Sequence, residues 1–112
     1  MTGLYILQGK NAVPEPDVGK WGRWLKTARR TVVAEDKAGA AIVSTVFKAI
    51  DLQSDPRGKP LLFETLISGG PSDGLYERYT TWEEAEAGHA RWVHKLKSAI
   101  GRSRRITVRG SE

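Results

Sequence analysis

The side chains best suited to acid–base chemistry are two that stand among apolar neighbours, His89 and Glu64. His89 falls on the apolar stripe of a helical pattern, and Glu64 shares one face of a strand pattern with two leucines. Either group could act as a general acid or base if further polar groups converged on it. The sequence indicates no such group. We therefore predict that His89 is a hydrogen-bonded core residue and that Glu64 pairs across the sheet with Lys48.

The residue spacing gives little support to metal or nucleophile chemistry. His94 follows His89 by five positions rather than the four that align two ligands on a helix, and the chain has no cysteine. The loop residues Asp55 and Asp73 fit turn chemistry. The glycines near Gly69 lack the Lys-Ser/Thr that completes a phosphate-binding loop. We predict no catalytic residue, no metal and no cofactor, and hence a protein that is not an enzyme.

Positive charge is concentrated near the end of the chain. Residues 1–86 hold 11 Lys and Arg against 12 Asp and Glu, whereas residues 87–112 hold seven against Glu112 alone. Such an excess attracts phosphates or acidic protein surfaces, although a solvated basic face that only keeps the protein soluble is the alternative. The predicted binding residues are Arg91, Lys95, Lys97, Arg102, Arg104, Arg105 and Arg109.

Two runs of the sequence, 41–50 and 60–68, are rich in β-branched and aromatic side chains and predict strands that position these residues. The turn sequence Asp55-Pro56-Arg57-Gly58 between them predicts a long antiparallel hairpin. Further strands are predicted at 4–7, 31–34 and 75–79, with a turn at 35–39. Residues 103–109 alternate weakly and indicate either a last edge strand, which we prefer, or a basic tail.

Two amphipathic helices are predicted to pack on this sheet. The first begins after the N-cap Asp17 and carries two tryptophans on its apolar side. The second covers about Thr81–Ile100, opens with the capping box Thr81-Trp82-Glu83-Glu84 and ends at Gly101. The predicted fold class is α+β: a mainly antiparallel sheet of about five strands with two helices packed on one face.

Length and composition predict one domain, 1–112, with a basic C-terminal segment at 101–112. No apolar run approaches the roughly 20 residues of a membrane span. The first residues lack the basic and apolar regions of a secretion signal. We therefore expect no membrane partner and a cytoplasmic location.

Four stretches of the sequence form a distinctive pattern: Val43–Phe47 (VSTVF), Pro60–Thr65 (PLLFET), Gly69-Gly70 and Arg78–His89 (RYTTWEEAEAGH). This pattern resembles a family of small proteins of unassigned function found in bacteriophages and bacterial prophage regions. The resemblance covers about residues 41–93 and extends loosely to the first helix. It implies a phage-associated protein and assigns no catalytic or binding residue; the segment from about Gly101 lies outside it.

These observations together predict a non-enzymatic accessory protein of phage type. We expect it to bind an acidic partner, nucleic acid or an acidic host protein, through its basic C-terminal region. The alternative is a virion structural or assembly component that self-associates or contacts other proteins through the less protected face of the sheet. The expected location is then the cytoplasm of the host cell or the virion.

Overall fold

A computed structural model describes residues 3–28 and 31–110, with side chains described as far as residue 101. Its elements in chain order are β1 (Tyr5–Gln8), β2 (Asn11–Pro14), α1 (Val18–Thr27), β3 (Val32–Ala38), β4 (Ala41–Phe47), β5 (Phe63–Ser68), β6 (Tyr76–Tyr79) and α2 (Trp82–Gly110). The α+β class is confirmed. The prediction of about five strands in one sheet is wrong, because the described residues form six strands in two sheets.

The larger sheet is antiparallel, with the strand order β3-β4-β5-β6. The predicted central hairpin is confirmed: β4 pairs with β5, and Thr45 lies opposite Thr65. β3 extends to Ala38, four residues beyond its predicted end, because its charged residues belong to an edge strand rather than to a turn. The turn follows instead at Gly39, whose φ of 65° suits a residue without a Cβ.

The smaller sheet is the hairpin of β1 and β2, which turns at Gly9. Strand β2, which ends at Pro14, was not predicted from the sequence. A proline at the end of an edge strand leaves the remaining ladder hydrogen bonds intact, so the strand forms in spite of it.

Helix α2 covers one face of the four-stranded sheet. The capping box at its start is confirmed: the Glu84 N–H donates to Thr81 Oγ1, and the Thr81 N–H donates to Glu84 Oε1, both at 3.1 Å. Trp82 meets Phe63 edge to face with the ring centroids 6.1 Å apart. Burying one large apolar side chain, such as that of Trp82, contributes about 1.5–3 kcal/mol to the free energy of folding. The inward-facing residues of β4 and β5 include Val43, Thr45, Phe47, Phe63, Thr65 and Ile67, all buried.

Helix α1 packs chiefly on β1, so the predicted arrangement of both helices together on one sheet face is wrong in this respect. Its start is as predicted, since Asp17 Oδ1 accepts the Lys20 N–H at 3.0 Å. This hydrogen bond to the carboxylate lowers the pKa of Asp17. The two tryptophans connect α1 to β4 and to the segment that follows it: Trp21 Nε1 donates to the Ala49 carbonyl, and the Trp24 ring packs edge to face against Phe47.

Two predictions about the end of the chain are wrong: the end of the second helix at Gly101 and the strand or tail at 103–109. The helix passes through Gly101 and ends at Gly110, so residues 103–109 are neither a strand nor an extended tail. Gly101 does not adopt the positive φ that a helix-ending glycine uses. Without that backbone turn, and with no proline after it, nothing in the local sequence stops the helix there.

Candidate functional site

Three of the predicted binding residues have described side chains, and all three are exposed on α2. Arg91 Nη2 lies 3.6 Å from Glu77 Oε1. The Lys95 ammonium lies 5.2 Å from the centroid of the Trp92 ring. Lys97 is the third. The side chains of Arg102, Arg104, Arg105 and Arg109 lie outside the described residues, although their backbone belongs to α2.

The helix register divides the seven basic positions into two groups. At 3.6 residues per turn, positions 91, 95, 102, 105 and 109 fall within about 80° of arc and along about 27 Å of the helix. We call Arg91, Lys95, Arg102, Arg105 and Arg109 the basic stripe. On the helix register these positions lie away from Ala85 and His89, which α2 buries against the sheet, although Arg91 still reaches Glu77 on β6. Lys97 and Arg104 fall outside the stripe, on one flank of the helix.

Beneath α2, a continuous row of polar side chains crosses the large sheet from one edge to the other. Asp36 Oδ2 on β3 lies 2.7 Å from His89 Nε2, and His89 Nδ1 lies 2.7 Å from Thr45 Oγ1. Thr45 Oγ1 in turn lies 2.5 Å from Thr65 Oγ1. Both threonines are fully buried, and the His89 side chain is 6% exposed.

The row continues to the opposite edge of the sheet. The Tyr79 hydroxyl lies 3.0 Å from Thr65 Oγ1 and 3.0 Å from Glu77 Oε1. Trp92 Nε1 also donates to Glu77 Oε1 at 3.0 Å. We call Asp36, His89, Thr45, Thr65, Tyr79 and Glu77 the buried polar chain. It unites strands β3, β4, β5 and β6 with α2.

Burial raises the pKa of Tyr79, and its hydrogen bond to Glu77 and the charge of that carboxylate raise it further. The hydrogen bond with Thr65 and the charge of Arg91 act in the opposite direction. Tyr79 is therefore a neutral phenol at physiological pH and has one proton to donate.

The first three members of the buried polar chain have the residue types of a carboxylate–histidine–hydroxyl nucleophile arrangement. A nucleophile must meet a substrate, whereas the Thr45 hydroxyl is fully buried and faces Thr65. The nearby cleft of about 360 Å³ between β6 and α2 is lined by Glu77, Tyr79 and Arg91, but by neither Thr45 nor His89. The prediction that His89 is a hydrogen-bonded core residue is confirmed.

Glu64 faces the opposite side of the sheet from His89, so the two groups do not converge. Glu64 Oε2 accepts from Arg78 Nε at 2.9 Å, and Glu64 Oε1 lies 4.0 Å from Lys48 Nζ. The predicted cross-strand partner is present but is the more distant of two. The register of β5 and β6 places Glu64 directly opposite Arg78, a pairing that was not predicted from the sequence.

The loop aspartates are turn residues, as predicted. Asp55 Oδ1 accepts the Arg57 N–H at 2.9 Å, and Asp73 Oδ1 accepts the Gly69 N–H at 2.6 Å. Asp51 Oδ1 accepts the N–H groups of Gln53 and Leu61 and so joins the two ends of the β4–β5 connection. Among the residues that the structure describes, no three His, Asp or Glu side chains are grouped to hold a metal ion.

The face of the large sheet that α2 leaves uncovered mixes charge with exposed apolar groups. Its centre is the Glu64–Arg78 pair, and the Arg78 guanidinium lies 4.7 Å from the centroid of the Tyr76 ring. We call this surface the outer sheet face. Its exposed apolar residues are Val32, Ile42, Leu66 and Tyr76.

Comparison of the chain with models of protein families, with curated proteins and with solved structures found no match. No helix within the described part of the chain is both long enough and apolar enough to cross a membrane.

Proposed function

We propose that this chain is a non-enzymatic, phage-type accessory protein that binds an acidic partner through the basic stripe of α2, and that the partner is a nucleic acid. The observation that supports the proposal is the unbroken helix from Trp82 to Gly110, whose register brings five basic positions within about 80° of arc. The phage association rests on the resemblance of residues 41–93. It implies a location in the cytoplasm of the host cell or in the virion.

Charge geometry favours nucleic acid over an acidic protein surface. The stripe is a straight row of positive charge, and no acidic residue lies between Arg91 and Arg109. A duplex presents a matching row of phosphates at regular spacing along a rigid backbone. Contacts with phosphates do not depend on the base sequence, and each one releases counterions from the nucleic acid. The affinity for nucleic acid should therefore fall steeply as the salt concentration rises.

Fluorescence anisotropy with labelled duplex DNA and duplex RNA tests the proposal. We expect the logarithm of the association constant to fall against the logarithm of salt concentration with a slope of about −4.5 for five phosphate contacts. The variant R105E/R109E reverses two stripe charges and should weaken binding by more than about tenfold. The control variant K97E/R104E changes the net charge equally, but off the stripe, and should weaken binding much less.

Two results would count against the proposal. Binding that is absent at low salt, or that does not change with salt, would exclude phosphate contacts as its source. Equal losses in R105E/R109E and K97E/R104E would mean that total charge, and not the stripe, attracts the nucleic acid.

The alternative function, a virion structural or assembly component, is supported by the outer sheet face. Ile42 is 39% exposed, Leu66 41% and Tyr76 57%, and together they offer an apolar surface for a protein partner or a second copy. Light scattering at high protein concentration tests this alternative. An assembly component should form oligomers, and the variant I42K/L66K should remain monomeric. A protein that stays monomeric and is absent from purified particles would contradict this alternative.

A further inference from the structure

The Glu77 carboxylate of β6 is held beside Arg91, the first residue of the basic stripe. Glu77 Oε1 lies 3.6 Å from Arg91 Nη2. The same oxygen accepts hydrogen bonds from the Tyr79 hydroxyl and from Trp92 Nε1, each at 3.0 Å. Because Tyr79 is buried and Trp92 is half-buried, Glu77 cannot turn away from Arg91 without losing two partly buried hydrogen bonds.

This contact distinguishes Arg91 from the next member of the stripe. The Lys95 ammonium lies over the Trp92 ring, 5.2 Å from its centroid. Of the two stripe side chains that the structure describes, Arg91 is the one that forms an ion pair. No acidic residue lies between Arg91 and Arg109. Negative charge therefore borders the stripe at the end that lies near the sheet.

A phosphate that contacts Arg91 must approach the Glu77 carboxylate. Both side chains are partly exposed, 63% for Arg91 and 44% for Glu77, so solvent screens the interaction between them. In water, a second negative charge at about 5–8 Å from the phosphate changes the equilibrium constant by about twofold to fourfold. This cost is small beside the attraction of the whole stripe, but it falls on one contact, that of Arg91.

We propose that Glu77 competes with phosphate for Arg91, and that this competition makes Arg91 the weakest of the five stripe contacts and ends the nucleic-acid surface at α2 rather than on β6. The inference rests on the proposed function and adds to it a residue that limits where the nucleic acid lies. Phosphates should contact the part of the stripe beyond Arg91 more tightly, and Arg91 should leave Glu77 when it binds a phosphate.

The variant E77Q tests this competition in the anisotropy assay with duplex DNA. An amide oxygen still accepts hydrogen bonds, so the contacts with Tyr79 and Trp92 can remain. We expect the association constant to rise by about twofold to fourfold at about 50 mM salt, and the gain to shrink at about 500 mM because salt screens the charge. The control E35Q removes the same charge from β3, at the opposite edge of the sheet, and should gain less. Equal gains in the two variants would overturn the proposal.

A second comparison asks whether the effect of Glu77 passes through Arg91. In the R91Q background, E77Q should raise the association constant less than it does in the wild type, because no guanidinium remains to be released. An equal gain in both backgrounds would mean that Glu77 only repels phosphates, and it would overturn the competition for Arg91.

The wild type offers a measurement that needs no variant. When Arg91 leaves Glu77, the carboxylate accepts the Trp92 indole proton more strongly, so the NMR signal of that proton should move downfield as duplex DNA is added. The Trp21 indole, which donates to the Ala49 carbonyl, should not move and serves as the reference. An unchanged Trp92 signal in DNA-bound protein would overturn the proposal.

These experiments distinguish the role of Glu77 from the function on which it rests. A wild type whose binding to DNA is absent or independent of salt contradicts both. Salt-dependent binding of the wild type, with E77Q binding no more tightly than E35Q, contradicts only the role of Glu77.

Discussion

The replacement of Gly88 by alanine tests how closely α2 approaches the buried polar chain. Gly88 is a buried residue of α2, and a Cβ built on it would overlap the ring and the hydroxyl of Tyr79. The tyrosine cannot simply swing aside, because it is 6% exposed and its hydroxyl contacts both Thr65 and Glu77. The substitution must therefore move α2 away from β6 or displace Tyr79 from its partners.

The expected magnitude follows from three opposing contributions. Alanine improves on glycine inside a helix by about 1 kcal/mol. Overpacking a well-packed interior costs about 1–3 kcal/mol. Leaving a buried hydroxyl contact unsatisfied costs about 1–3 kcal/mol more. We therefore expect G88A to lower the free energy of unfolding by about 1–5 kcal/mol, although helix propensity alone predicts an increase.

Gly101 provides the matched control, because it lies in the same helix and a Cβ there would meet no atom within 4 Å. G101A should raise the free energy of unfolding by up to about 1 kcal/mol. Urea unfolding followed by tryptophan fluorescence and by circular dichroism measures both variants. If G88A is as stable as G101A, the close packing of α2 on Tyr79 is refuted.

Three further predictions concern single contacts. In a spectrophotometric titration the Tyr79 phenol should ionise above its ordinary range, because burial raises its pKa. The stability that the protonated phenol contributes should therefore be lost as pH rises above about 10, and Y79F should not show this loss of stability. A double-mutant cycle of E64Q and R78Q should give a coupling energy of about 0.5–1 kcal/mol that falls as salt is added. A coupling energy of zero would mean that the ion pair does not stabilise the fold. W21F should cost about 0.5–1.5 kcal/mol by removing one of the two donors to the Ala49 carbonyl, which keeps the Tyr5 N–H; an unchanged melting temperature would contradict that hydrogen bond.

The parts of the fold that could be predicted from sequence are those with a local cause. The β4–β5 hairpin follows from alternating β-branched residues, and the start of α2 follows from a capping box. The length of β3 could not be obtained this way. Its charged residues resemble a turn until β4 pairs with them, and only then does Asp36 face the sheet side that α2 covers.

The buried polar chain depends on contacts between residues as far as 53 positions apart, and local patterns do not report such contacts. One signal was nevertheless present. Thr45 and Thr65 each occupy the inward side of a strand among apolar neighbours, where a hydroxyl needs a partner. Two such threonines, together with a histidine on the apolar stripe of a helix, indicate one shared hydrogen-bond network rather than three unrelated polar residues at core positions.

The two halves of α2 owe their helical structure to different causes. As far as Ile100 the helix keeps an apolar stripe, but the positions that would continue it are Ser103 and Thr107. Beyond this point Arg102, Arg105 and Arg109 repeat at intervals of three and four residues, a spacing at which like charges destabilise a helix. An anionic partner would remove this repulsion. For the proposed nucleic-acid partner, binding and helix formation over residues 101–110 should therefore reinforce each other, and phosphates bound along the basic stripe should stabilise this part of α2.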